Sequence, residues 1–144
     1  MRTVSELLSA KGNSIWSTRP NATVYEALQI MAERNIGALL VLESGKVEGI
    51  FSERDYARKV ALQGKPALET PVREVMTSKV IGVEQNRTID ECMALMTEKR
   101  IRHLPVLDGD RLIGIISIGD VVKEVILDQQ FTISLLEEYI TGRR

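Results

Sequence analysis

The sequence predicts an α/β (α+β) fold in which two pseudo-symmetric β-α-β-β-α units pack as one module. Three observations predict it. The first is an internal repeat: a shift of 65 residues carries Asn21 onto Asn86, Thr23 onto Thr88, Glu26 onto Glu91, Met31 onto Met96, Ile36 onto Ile101, Gly49 onto Gly114, Ser52 onto Ser117 and Asp55 onto Asp120. No gap is needed from about Ile15 to Val60, so the repeat is the unit of the fold. The second is local: in both copies short apolar runs alternate with apolar stripes at helical spacing. The third is size. The chain has 144 residues, of which 44% are hydrophobic and 27% charged, and one copy alone is too small to bury an adequate core.

The first copy opens on a short apolar strand, Ile15 to Ser17, broken by Pro20. Thr23 and Glu26 stand three apart and read as a capping box, in which hydroxyl and carboxylate satisfy the free N–H groups of a helix start. Val24, Ala27, Leu28 and Met31 form that helix's buried stripe. Ala38 to Leu42 reads as a buried strand, Glu43 to Lys46 as a turn, and Val47 to Ser52 as the return strand. Glu53 to Gln63 is a second helix, stopped by Gly64 and Pro66.

The second copy repeats this order. Val80 to Val83 is its first strand, Thr88 and Glu91 cap its first helix, and Ile89, Cys92, Met93 and Met96 line the buried stripe. His103 to Leu107 and Leu112 to Ser117 form a hairpin turning through Asp108-Gly109, and a last helix starts near Ile118. The expected organisation is residues 1–64 as first repeat, 65–71 as linker, 72–127 as second repeat and 128–144 as a helical extension. In the extension Phe131, Ile133, Leu135, Leu136, Tyr139 and Ile140 are suited to docking on the module or on a second subunit.

Composition narrows the function. A net charge of −1 lacks the basic excess by which proteins hold nucleic acid, although Lys99, Arg100 and Arg102 are a local basic stretch. The apolar runs are far shorter than the roughly 20 residues of a membrane helix, and the start lacks a secretory signal pattern. The single cysteine, Cys92, allows no internal disulfide and suits a reducing compartment. A cytoplasmic location is expected. With one histidine and one cysteine, nucleophile–base chemistry has few candidates. No metal-ligand spacing, P-loop or GxGxxG element is present, so no catalytic residues and no metal are expected.

The remaining chemistry lies in two elements that each follow an apolar strand and open a helix, Ser52-Glu53-Arg54-Asp55 and Ser117-Ile118-Gly119-Asp120. A helix N-terminus suits phosphate, and an aspartate one turn in can accept from ribose hydroxyls. The same spacing is also a plain capping box. Tandem β-α-β-β-α units with Ile101-Arg102-His103-Leu104-Pro105-Val106 and Gly114-Ile115-Ile116-Ser117-x-x-Asp120 resemble paired cystathionine-β-synthase (CBS) domains. The likeness runs from about Val4 to Ile126.

The resemblance implies an adenosine ligand in the cleft between the copies, with AMP first and ATP, ADP, NADH or S-adenosylmethionine as alternatives. It implies a disc-like homodimer and a regulated partner protein, with the chain acting as an energy or redox sensor. Asp55 and Asp120 match ribose-binding positions, with Ser52 and Ser117 beside them. Arg102 and His103 match phosphate contacts, and Leu104 and Pro105 follow them. Gly37, Ala38 and Leu39 are their first-copy counterparts. The base is placed against the first strands, Ile15 to Thr18 and Val80 to Val83 with Ile81 between, and against the apolar Phe51 or Ile116; Thr18, Arg19 and Lys79 are further candidate contacts there.

Three side chains keep two readings. Arg54 in a first helical turn opposes the macrodipole at a cost of roughly 0.3–1 kcal/mol, which an anionic ligand or an ion pair with Glu53 or Glu26 offsets. His103 is a phosphate contact or a satisfied core group; as a contact it would tighten binding toward its ordinary pKa of about 6.5. Trp16 stacks on a base or anchors the core. The other readings of the whole chain are a ligand-free dimerisation module and a nucleic-acid binder.

Overall fold

The computed structural model describes residues 2–12 and 14–142. By contact density it divides into a first-copy unit, residues 14–82 with 110–112, and a second-copy unit, residues 2–12 with 83–109 and 113–142. Each holds one three-stranded sheet. The two β-α-β-β-α copies are present as expected.

In the first-copy unit, β1 (Ser17–Thr18) pairs parallel to β2 (Ala38–Glu43), which pairs antiparallel to β3 (Lys46–Ser52). The helix α2 (Val24–Arg34) connects β1 to β2 and starts on the expected Thr23/Glu26 capping box. Its buried residues Val24, Ala27 and Met31 meet Leu39, Val41 and Phe51 in one cluster. The hairpin loop Ser44-Gly45 has both residues at positive φ, the type I′ geometry that matches strand twist. The second helix departs from expectation. It begins as one α turn, α3 (Glu53–Asp55), and widens to a π-helix over Tyr56–Ala61.

The second-copy unit repeats this with β4 (Val83–Glu84), α4 (Ile89–Lys99), β5 (His103–Asp108), β6 (Arg111–Ser117) and α5 (Ile118–Thr141). Its α1 (Val4–Lys11) precedes the first copy in sequence. The hairpin loop is Gly109-Asp110, one residue later than expected, with positive φ at Gly109 as a type II′ turn requires. The first strand is also displaced: residues 80–82 are not extended partners, and the parallel ladder begins at Val83 opposite Val106. In the first copy it begins one step earlier, at Ser17 opposite Leu40. The repeat places Pro105 where Leu40 stands, and proline has no N–H to give a ladder.

The contact units run across the repeat boundaries: residues 2–12 group with the second copy and residues 65–82 with the first. Each unit takes an outer segment from the stretch preceding the other copy, and the two segments match at a shift of 68. Val4 N–H bonds the Arg87 carbonyl at 2.8 Å, as Val72 N–H bonds Ala22 at 2.8 Å. Ile89 N–H bonds Arg2 at 2.9 Å, as Val24 N–H bonds Thr70 at 2.9 Å. Leu8 lies over Gly114, where a Cβ would stand 2.9 Å from it, and Met76 lies over Gly49, where a Cβ would meet Sδ at 2.6 Å. Both glycines exist to admit that segment. Val72 and Val75 join the first-copy core; Val4, Leu7 and Leu8 are buried in the second-copy unit.

The extension expected from residue 128 is no separate element. It continues α5 without a break, described as far as residue 142. The first turns of α5 pack on α4, burying Val121 and Glu124, and Arg2 pairs with Glu124 at 2.9 Å. From 129 onward every described residue is exposed.

Candidate functional site

Both Ser-x-x-Asp elements are helix entrances built by the same local chemistry. Ser52 and Ser117 keep extended backbones, with φ −122° and −107°, because they still end a strand. Each hydroxyl accepts from the N–H of its aspartate at 3.2 Å. Each aspartate accepts from the serine N–H, at 3.0 Å for Asp55 and 2.8 Å for Asp120. The carbonyl ahead of each hairpin closes another donor: Gly37 accepts from Glu53 N–H at 3.0 Å, and Arg102 from Ile118 N–H at 2.8 Å. The capping reading therefore describes real bonds at both sites. Two of the N–H groups that a phosphate would use are spent inside the protein.

The entrances differ in what remains of the carboxylate. Asp55 is buried at 6% exposure. Its Oδ2 takes the serine N–H and, at 3.1 Å, the Ser52 hydroxyl, while Oδ1 takes the Thr77 hydroxyl at 3.1 Å and Lys59 Nζ at 3.1 Å. Both oxygens are occupied. At Asp120, Oδ2 takes Ser117 N–H and Lys11 Nζ at 2.6 Å, and the Ser117 hydroxyl also bonds the carboxylate; its side chain is 25% exposed, against 8% for Asp55. Lys11 is fixed by a second bond, to the Ile115 carbonyl at 2.8 Å. The outer segments make this difference: the first unit's supplies a short hydroxyl, Thr77, and the second's supplies the last turn of α1.

Lys11 belongs to no motif, and it stands 109 residues from its partner. Its only signal in the sequence is the 68-residue correspondence of the outer segments. Lys11 and Arg102 are two cations that bear on His103, as Asp120 does with the opposite sign. Burial of the Asp120 carboxyl works upward on its pKa, but the bonds from Lys11 and Ser117 outweigh this and hold it below the usual 3.8. His103 is pushed below 6.5, first by burial and then by Lys11, with Asp120 opposing. Its protonation, and any gain in phosphate affinity it brings, therefore begins at lower pH than the sequence suggested. A depressed histidine contributes fully above its unfolded pKa of 6.5 and loses that contribution as pH falls toward its folded one; the Asp120 contribution is present above 3.8 and lost as pH falls through its lowered value.

The other candidates divide by place. Gly37, Ala38 and Ser52 stand at one end of the first sheet, where Ala38 pairs with Ser52. Thr18 pairs with Val41, about 10 Å along the strand from Ala38 at the usual rise per residue. Thr18 and Arg19 line a different groove of about 610 Å³, with Asn21, Glu26, Leu42 and Ser44. Arg54 is exposed on the first turn of α3. Leu39, Leu104 and Ile116 are at 0% exposure, so these side chains are core. Pro105 and Val83 are buried too. Lys79, Val80 and Ile81 lie in the first-copy unit outside any strand. Trp16 carries the Arg34 guanidinium 3.9 Å from its ring centroid, an exposed cation–π pair. Cys92 is buried, and burial pushes its thiol up to about 11, an inert core group.

Comparison with known proteins accords with this geometry. The CBS domain profile matches residues 12–62 and 72–127. The CBS domain-containing protein CBSX3, mitochondrial, of Arabidopsis thaliana is 39% identical over 97% of this chain and 72% of its own length. A protein with CBS domains from Burkholderia ambifaria superposes with a TM-score of 0.86 at 55% identity, over 89% of this chain and 96% of the other. The CBS domain pair of protein MJ0100, solved in complex with 5′-methylthioadenosine and S-adenosyl-L-methionine, superposes with a TM-score of 0.77 at 26% identity, over 87% of this chain and 96% of the other. Two copies of one β-α-β-β-α unit, each opening a helix on Ser-x-x-Asp, and two matched domains in one chain make this protein a member of the CBS-domain family.

Proposed function

We propose that this chain is a regulatory, non-catalytic module that binds an adenosine nucleotide at the second copy's helix entrance, with AMP the first candidate and ADP, ATP and NADH next. The observation that carries the reading is the meeting of Lys11, Arg102 and Asp120 at His103, with Lys11 bonded to Asp120 at 2.6 Å. A carboxylate that caps its own helix and is still a quarter exposed suits a ribose diol. Cations beside it suit a phosphate. The same cluster disfavours S-adenosylmethionine, whose sulfonium brings like charge to Lys11 and Arg102. The saturated Asp55 makes one nucleotide per chain the expected stoichiometry. Occupancy would act on a regulated protein, as an energy or redox signal, through different affinity for the two states. A cytosolic setting is part of the proposal; no helix of the described residues is long and apolar enough to cross a membrane.

One observation favours the ligand-free alternative: both aspartates already cap their helices. A thermal-shift panel separates the readings. AMP at 100 times its Kd stabilises the fold by about 2.7 kcal/mol, and S-adenosylmethionine does so only at higher concentration. Flat melting curves with AMP, ADP, ATP and NADH alike would leave the structural module.

A further inference from the structure

From the end of the matched family region onward to residue 140, α5 carries an apolar row that its own unit leaves about half or more exposed. Val122, Ile126, Ile133, Leu136 and Ile140 are 43%, 47%, 53%, 55% and 79% exposed. With Gln129 they step along the helix by four, three, four, three and four residues. That is the a/d seam of a coiled coil, about five turns long. It lies roughly 100° round the helix from the flank that buries Val121 and Glu124, so folding of the unit does not consume it.

We propose that this seam pairs antiparallel with the same seam of a second copy. The row reads alike in both directions: Val122 meets Ile140, Ile126 meets Leu136, and Gln129 meets Ile133 of the other helix. This is the self-complementarity of a two-fold interface. Charge selects the direction. Lys123 and Glu137 occupy the same flank of the seam, 14 residues apart, and both are exposed. In an antiparallel pair that flank faces its own copy, which sets Lys123 against Glu137 of the other chain twice. In a parallel pair it faces the opposite flank, where Val125, Thr132 and Tyr139 offer no charge. Leu127, Phe131 and Leu135 form a second row on the far side of the helix, without a matching pair of charges. The proposal does not depend on the nucleotide reading.

Sedimentation equilibrium of the full chain tests it. The wild type is expected to dimerise, and Leu136→Glu to be monomeric throughout the range in which it does. Residue 136 is exposed, so the variant should melt close to wild type diluted until it is monomeric, since association itself raises the midpoint. Lys123→Glu weakens the dimer about tenfold, because two pairs are reversed at once, and Lys123→Glu with Glu137→Lys restores it. Phe131→Ser leaves the dimer intact. A monomeric wild type would assign the seam to a different protein and overturn the proposal. Dimerisation that survives Leu136→Glu, fails with Phe131→Ser, or is not rescued by the charge swap overturns it as well.

Discussion

Asp120→Ala should weaken AMP binding by about 10- to 100-fold, the worth of roughly 1.5–3 kcal/mol for hydrogen bonds to a charged group. The prediction rests on the partly exposed Asp120 carboxylate and on Lys11, which loses its 2.6 Å partner in the variant. Part of any loss could come from the helix start, since a cap is worth about 1 kcal/mol. Asp120→Asn separates the two, because the amide oxygen still accepts from Ser117 N–H but carries no charge. Binding by this variant should be weak while its stability stays nearer wild type. Asp55→Ala is the internal comparison: because it takes a buried acceptor away from four donors, it costs stability and leaves affinity within a few-fold. Calorimetric titration of the three variants checks all of this. Equal losses of affinity at both aspartates would assign two working entrances; no loss at Asp120 would remove the ribose contact from it.

Leu7→Ala should lower the free energy of unfolding by about 2–5 kcal/mol, the cost of a cavity at a well-packed leucine. Leu7 is 2% exposed although it lies in the first turns of the chain, in a segment whose sequence precedes the first copy. The structure assigns it to the second-copy unit, so the loss should be local. Amide exchange should quicken in α4 and β5 more than in α2 and β2. Urea denaturation gives the size, and exchange gives the place. A loss under about 0.5 kcal/mol, typical of surface positions, would contradict the exchanged arrangement of outer segments. So would faster exchange centred on the first copy.

The legibility of this chain follows the range of the forces involved. Capping boxes, buried stripes and hairpins act over a few residues, and Thr23/Glu26, Thr88/Glu91 and the β2–β3 turn were readable for that reason. The repeat made the two-copy architecture readable as well. What could not be read acts over long separations: Lys11 on Asp120, Thr77 on Asp55, and Leu8 over Gly114. A 65-residue repeat implies equal entrances, but the segments that finish them repeat at 68 and differ in chemistry. One aspartate is sealed by a hydroxyl and a lysine of its own helix, and the other meets a lysine beside two more basic residues. The first strands failed on a smaller point, a proline that removes one rung of the ladder. The basic pair Arg102-His103 was readable in identity, but burial and Lys11 together set the histidine's protonation, and neither is visible in a linear string.

The most direct measurement is an AMP titration followed by amide chemical shifts of the full chain. The account predicts saturable shifts at Lys11, Arg102, His103 and Ser117 through Asp120, one ligand per chain, with Ser52 through Asp55 little changed. Shifts centred on Thr18 and Arg19, or none at all at millimolar AMP, would contradict it.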